Sequence, residues 1–248
     1  LPTGEVAFLR PDDVHTSLVA GLLWMDTKLL KARLYAGTQE PGTGRWQRYA
    51  EIPRSRRAGL AFTFNSGFRM KDSRGGWYSE GTTAVPLVKG AASLVFFKDG
   101  SVTVGQWGRD VGMSSRVASV RQNLSLIVDH GRPVPSLATD SFQLWGATLG
   151  NAELVWRSGV GVLPDGALVY AAGPGLSIQT LAALLAHAGC LRAMELDINT
   201  DWVTANSYGP APRSAFGVIP HKLLPDMIRS PYRYLVPDER DFVALYAR

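Results

Sequence analysis

Short apolar runs, each broken by a glycine, a proline or a charged turn, recur along most of this chain. Residues 5–9, 16–24 and 30–36 read as strands, the last ending at Gly37. The segment 60-LAFTF-64 reads as a buried strand that runs into 65-NSGF-68. In 93-SLVFFKDGSVTVGQW-107, two β-rich runs flank Asp99 and Gly100, a pair that predicts a hairpin with a type I′ turn. A second hairpin, 160-VGVLPDGALVYAA-172, turns at Pro164, Asp165 and Gly166. One segment has a strong helical period, 177-SIQTLAALLAHAG-189. Ser177 is its N-cap, Leu181, Leu184, Leu185 and Ala188 make one apolar face, and Gly189 stops it. A strand follows directly over 191–197, and 214–220 and 241–247 read as further strands. Short helices are predicted near 47–51 and 221–229. Many strands with few helices predict an α+β fold, a single domain over residues 1–248 with a central mixed β-sheet flanked by a few helices.

Composition narrows the class. The 248 residues are 46% hydrophobic and 19% charged, values of a folded globular chain. No apolar run approaches the ~20 residues of a membrane-spanning helix; 18-LVAGLLWM-25 is cut short by Asp26 and Lys28. Cys190 is the one cysteine, so no intrachain disulfide can form, and its place after an apolar helix marks it as a buried hydrophobe. The net charge of +5 favours anionic partners. Arg54, Arg56 and Arg57 form a basic knot in a polar connection, read as a solvated loop or an anion contact. The four histidines are scattered, which argues against zinc, and no Walker, dinucleotide or nucleic-acid-binding pattern is present.

The strand over 191–197 ends unusually, in 191-LRAMELDINTDWV-203. Glu195 and Asp197 lie at i and i+2, so on a strand they face the same side, about 6.5–7 Å apart at Cα. If the strand continues, Asn199 joins them. The alternation of Asp197, Asn199 and Asp201 matches the first three ligand positions of an EF-hand loop. Trp202 and Tyr208 then stand where that loop needs its glycine and its final glutamate, so it is not an EF-hand. Calcium is the one ion these oxygens could hold. No metal site is assigned and no cofactor is expected.

Four pieces, in order, carry a resemblance: 62-FTFNSGF-68, 123-NLSLIVDHGRP-133, 156-WRSGVGVLPDGALVYAA-172 and 175-GLSIQTLAALLAHAGCLRAMELD-197. Together they resemble the phosphodiester glycosidase family, with the likeness carried mainly by residues 60–200. The resemblance implies a mixed α+β fold, an exported or lumenal protein that cleaves glycosyl phosphodiesters, and site positions at Asn65, Gly67, Arg157 and Asp197. Leu1 in place of a methionine agrees with a leader already removed. One departure stands out. After the matched Asp197 the family has a glycine-rich run, whereas this chain reads Ile198, Asn199, Thr200, Asp201, Trp202. Glycines let backbone N–H groups approach a phosphate; carboxylates repel one.

The chemistry follows from leaving groups. A phosphate leaves as a stable anion and needs positive charge, whereas a sugar alkoxide needs a general acid. Extra carboxylates point to the second. The expected catalytic residues are Asp197 as nucleophile or general base, with Glu195 or Asp201 as general acid. Expected substrate contacts are Asn65, Arg157 and Asn199, with Trp77 and Trp202 as platforms for sugar faces. The bland alternatives are an arginine partner for Glu195, a turn cap for Asp201, a structural ion pair for Arg157 and a turn-shaping role for Asn65. The reading is an exported glycan-cleaving hydrolase of the cell envelope or extracellular space. Its partner is a carbohydrate, neutral or anionic, and neither nucleic acid nor membrane is expected. The alternatives are a true glycosyl-phosphodiester hydrolase and a non-catalytic carbohydrate-binding domain.

Overall fold

The computed structural model of the protein describes residues 2–42, 44–138, 145, 146, 148 and 152–248. Among these, seventeen strands stand against two α-helices, at Met70–Ser73 and Ile178–His187. All pairings between named strands are antiparallel, in three sheets. The expected α+β fold with a central mixed sheet is therefore wrong. The architecture is a β-sandwich-like one. Antiparallel neighbours are joined by turns and need no helical crossover, so a chain of short strands folds without flanking helices.

The first sheet holds seven strands. They are β1 (Gly4–Leu9), β2 (Ala20–Met25), β10 (Leu126–Asp129), β11 (Arg132–Pro133), β12 (Val155–Val162), β13 (Leu168–Leu176) and β14 (Arg192–Glu195), ordered β1-β2-β13-β12-β14-β10-β11. The second contains β3 (Leu30–Tyr35), β4 (Leu60–Asn65), β15 (Ala205–Pro210), β16 (Val218–Lys222) and β17 (Phe242–Ala247), ordered β16-β15-β4-β17-β3. The third contains β5 (Trp77–Ser79), β6 (Thr82–Val85), β7 (Ala92–Phe97), β8 (Val102–Gln106) and β9 (Val117–Gln122), ordered β6-β5-β9-β7-β8.

Period-two alternation builds the core. Along β13, Leu168, Tyr170 and Ala172 enter a cluster shared by all three sheets, with Phe64, Leu94, Val243 and Leu245. Val169 and Ala171 face the other way, against Leu181 and Leu185 of the helix. That helix keeps its predicted signals: the Ser177 hydroxyl accepts the Thr180 N–H at 3.0 Å, and Gly189 follows at φ +88°.

Several local expectations change. No helix forms at 47–51, where Ala50 has φ +59° and its N–H donates to the Ala36 carbonyl at 2.6 Å. None forms at 221–229, because β16 runs to Lys222 and Pro225 interrupts the rest. The turn at Asp99 and Gly100 is a three-residue loop rather than type I′, and the second hairpin turns through Pro164, Asp165 and Gly166 as expected. Phe97 N–H donates to Ser101 O, and Leu163 N–H to Ala167 O, with only Gly100 (φ +93°) and Gly166 (φ +90°) left-handed within the loops. The basic knot is partly structural: buried Arg57 donates to the carbonyls of Ile52, Phe216 and Leu235, and Arg54 to those of Pro212, Ser214 and Ala215.

The glycines of 158-SGVG-161 let the helix side pack against β12. A Cβ at Gly161 would lie 2.5 Å from Cys190 Sγ, and one at Gly159 3.0 Å from Leu185 Cδ1. Gly161→Ala should lower stability by about 1–3 kcal/mol, the range for an overpacked core. Gly112→Ala, where a Cβ meets nothing within 4 Å, is the control and should leave the urea midpoint nearly unchanged.

Candidate functional site

Asn65 ends β4 where the first two sheets meet. Its carboxamide oxygen accepts from the Tyr170 hydroxyl at 2.8 Å and the Thr204 N–H at 3.1 Å. Its nitrogen donates to Ser158 Oγ at 3.0 Å and to the Ser66 carbonyl at 2.9 Å. Both donors and both acceptor positions of the amide are thus in use. Asn65 is a buried cross-tie, and the expected sugar contact is corrected: nothing on its side chain is left to offer a ligand.

Glu195 and Asp197 meet different fates. Glu195 is fully buried, and its Oε1 accepts from Arg157 Nη1 at 2.6 Å. Arg157 is buried as well, and its Nε donates to the Leu176 carbonyl at 2.9 Å. Arg157 is thus the internal counter-ion of Glu195, whose Oε2 is buried without a hydrogen-bond partner. Burial pushes the Glu195 carboxyl up to about 7, against the pull of Arg157, and the nearby Asp197 charge adds to the rise.

The strand stops at Glu195, so the expected shared strand face of Glu195, Asp197 and Asn199 does not form. Asp197 opens a turn. Its Oδ1 accepts from the N–H groups of Ile198 (2.8 Å) and Asn199 (3.0 Å), and its Oδ2 accepts from Arg240 Nη2 at 3.0 Å. Its carbonyl takes the Ser158 N–H at 2.9 Å, which fastens the turn to β12. Burial raises the Asp197 carboxyl above its ordinary value, opposed by Arg240 and the two amides. Asn199 Oδ1 accepts the Asp201 N–H at 2.8 Å, a local turn contact. Asp201 is exposed, and its carboxylate makes no hydrogen bond or ion pair among the described residues.

The two aromatic platforms are also corrected. Trp77 is 1% exposed, packs edge-on to Trp46, and donates its indole N–H to Asp241 at 3.2 Å. It is core. Trp202 is partly exposed, but its ring is already covered by guanidinium groups: Arg229 at 4.7 Å, Arg240 at 4.9 Å and Arg233 at 5.3 Å.

Residues that the sequence reading missed complete the site. Arg240 links Asp197, the Gly67 carbonyl (2.8 Å) and the Trp202 ring. Arg233 is held by Asp238 at 2.5 Å and donates to the Trp202 carbonyl at 3.0 Å. Asn123 donates to the Glu195 and Leu196 carbonyls and accepts the Phe68 N–H. The sequence signals were the charged run 238-DERD-241 before a hydrophobic strand, for Arg240, and the start of the matched piece 123-NLSLIVDHGRP-133, for Asn123. Two donors stay open beside Asp197 and Gly67: Arg240 Nε and Ser66 Oγ are buried without a hydrogen-bond partner. The site therefore brings one buried carboxylate together with arginines and leaves a buried N–H and a buried O–H without a hydrogen-bond partner.

Neither a family profile nor a curated protein matches this chain in sequence. In three dimensions it has the fold of a phosphodiester-glycosidase domain. The catalytic domain of zebrafish N-acetylglucosamine-1-phosphodiester alpha-N-acetylglucosaminidase, auto-inhibited by its pro-peptide, superposes with a TM-score of 0.59 and 14% identity, covering 100% of this chain and 84% of that one. A hypothetical protein from Synechocystis superposes with a TM-score of 0.53 and 12% identity, over 99% of this chain and 62% of that one. At such identities the likeness is one of fold.

Two measurements test this geometry. Arg240→Met leaves Asp197 buried and unpaired and should destabilise by about 3–5 kcal/mol; adding Asp197→Asn should recover part of the loss in chemical denaturation. The second concerns pH. Glu195 titrates at about 7 when folded against an ordinary value of 4.5. Between these values the native state keeps a proton that the unfolded chain has lost. Its contribution is therefore full below pH 4.5 and is lost as pH rises through about 7. Asp197, also raised, acts in the same direction. Glu195→Gln should flatten the fall of unfolding free energy across this window.

Proposed function

We propose that this protein is a hydrolase that cleaves a glycosidic bond to a phosphate-type leaving group, and that it acts outside the cell. The observation that carries the reading is the pairing of Asp197 with Arg240, which also donates to the Gly67 carbonyl, in the turn after the strand; Glu195 is paired with Arg157 on the strand, and both carboxylates are buried. A two-carboxylate glycosidase needs an acid that reaches the leaving oxygen. Asp201, the other expected acid, is exposed on the turn, and its carboxylate makes no hydrogen bond or ion pair among the described residues. A phosphate monoester leaves as a stable anion and needs no proton, only positive charge. Arg240, with an unpartnered Nε, supplies that charge. The sequence resemblance and the shared fold support the same reaction class.

In this reading Asp197 activates water, or bonds directly to the anomeric carbon. The bond from that carbon to the phosphate oxygen breaks, the phosphate monoester departs with the bonding electrons, and water supplies the hydroxyl of the released sugar. Arg240 has two roles, holding Asp197 ionised and donating N–H to the departing oxyanion.

Glycosyl phosphate diesters and simple aryl glycosides should be compared as substrates for the wild type, Asp197→Asn and Glu195→Gln. Release of phosphate monoester from the diesters is expected, reduced about 10²–10⁴-fold in Asp197→Asn. Faster turnover of aryl glycosides that is lost in Glu195→Gln would restore a two-carboxylate glycosidase. Sugar binding without turnover of either panel would make this a carbohydrate-binding domain.

A further inference from the structure

A second concave site lies on the outer face of the second sheet, away from Asp197. Strand β3 alternates, so Leu30, Ala32 and Leu34 enter one core cluster while Lys31, Arg33 and Tyr35 take the other face, Lys31 and Arg33 partly exposed and Tyr35 buried on Phe242. Across the antiparallel ladder Tyr246 of β17 stands opposite Lys31. Together with Arg48 and Arg56 these residues line a cavity of about 310 Å³. The cavity lies along this pairing of β3 with β17, in which Phe242 stands opposite Tyr35 as well.

Its charge is poorly neutralised. Among the described residues, Arg48 is the one of the four cations with a carboxylate partner, Glu80 at 3.1 Å. Arg33 donates to the Ala32 carbonyl at 2.9 Å and Arg56 to the Gln47 carbonyl at 3.3 Å, and neither has an acidic partner among the described residues. Lys31 makes no hydrogen bond or ion pair among the described residues. Arg48 Nε is buried with no partner. The two tyrosine hydroxyls bond each other at 2.8 Å, which positions both at the cavity wall. Edge strands often carry single charges that discourage pairing with another chain. Such charges point apart into water; these four converge on one hollow from three segments of chain. Holding guanidinium groups together in a partly buried hollow is unfavourable without an anion: burial, and then the neighbouring Arg48, lower the Arg33 pKa.

We propose that this cavity is a binding site for a small phosphorylated molecule, with Lys31, Arg33, Arg48 and Arg56 around the phosphate and the tyrosine pair beside it. Guanidinium groups match phosphate oxygens in pairs, and the volume exceeds what a bare phosphate fills, leaving room for the group that carries it. The proposal is independent of the reaction at Asp197.

The test is calorimetric titration with inorganic phosphate, pyrophosphate, glucose 1-phosphate and glucose, at low and high salt. The expected result is saturable binding of glucose 1-phosphate or pyrophosphate, none of glucose, and binding about tenfold or more weaker in the Lys31→Ala, Arg33→Ala double variant, as loss of charge-assisted hydrogen bonds implies. If the double variant does not fold, Arg56→Glu, at an exposed position, reverses one charge of the same wall and should weaken binding likewise. Asp197→Asn should bind as the wild type does. Absence of phosphate binding, equal binding by the cavity variants, or loss of binding only in Asp197→Asn would each overturn the assignment. So would binding confined to long polyanions such as heparin, which would point to a macromolecular surface instead.

Discussion

The carboxamide of Asn65 is the constraint on which the arrangement depends. It joins the end of β4 in one sheet to Ser158 and Tyr170 on two strands of another, and to the chain at Thr204 that leads into β15. A buried amide left unpaired costs about 1–3 kcal/mol per group, so the native register is the one that satisfies all four bonds together. Shifting β4 by one residue would break every one and turn Phe62 and Phe64 out of the core.

Around that tie the molecule places four buried ion pairs: Arg157 with Glu195, Arg240 with Asp197, Arg233 with Asp238 and Arg121 with Asp241. Desolvation offsets much of the attraction in each, so their weight lies in what breaking one would leave behind. They also divide the two acids of the strand end. The same i, i+2 spacing that suggested a catalytic pair puts one carboxylate against an arginine of the neighbouring strand and the other against an arginine from the C-terminal region. That division, more than the overall fold, selects the proposed chemistry. It leaves one carboxylate beside a cation with an open N–H, a setting that suits a leaving group already stable as an anion.

Much of the β-structure was legible along the chain. The strands near 5–9, 30–36, 60–64 and 241–247, both hairpins and the capped helix with its Gly189 stop follow from period and turn residues, which act over a few positions. The class was misjudged because one strong helix encouraged two more, at 47–51 and 221–229, where Ala50 in a left-handed conformation and Pro225 prevent them. Asp197 was singled out through the resemblance and its place near a strand end. Trp77 and Asn65 were misread because polar neighbours in sequence do not reveal that a side chain turns inward and finds Asp241 or Tyr170.

The sequence by itself determined roughly where many of the strands lie, which residues alternate into the core, and that acids stand at the end of the strand after the long helix. Those are local matters of pleat, turn and cap. Only the tertiary structure decided which charge meets which. Arg240 lies 43 positions beyond Asp197, and Arg157 lies 38 before Glu195. Nothing in local propensity couples residues so far apart. Their pairing is set by the packing of sheets around one core, where a buried charge must meet its partner or remain unsolvated.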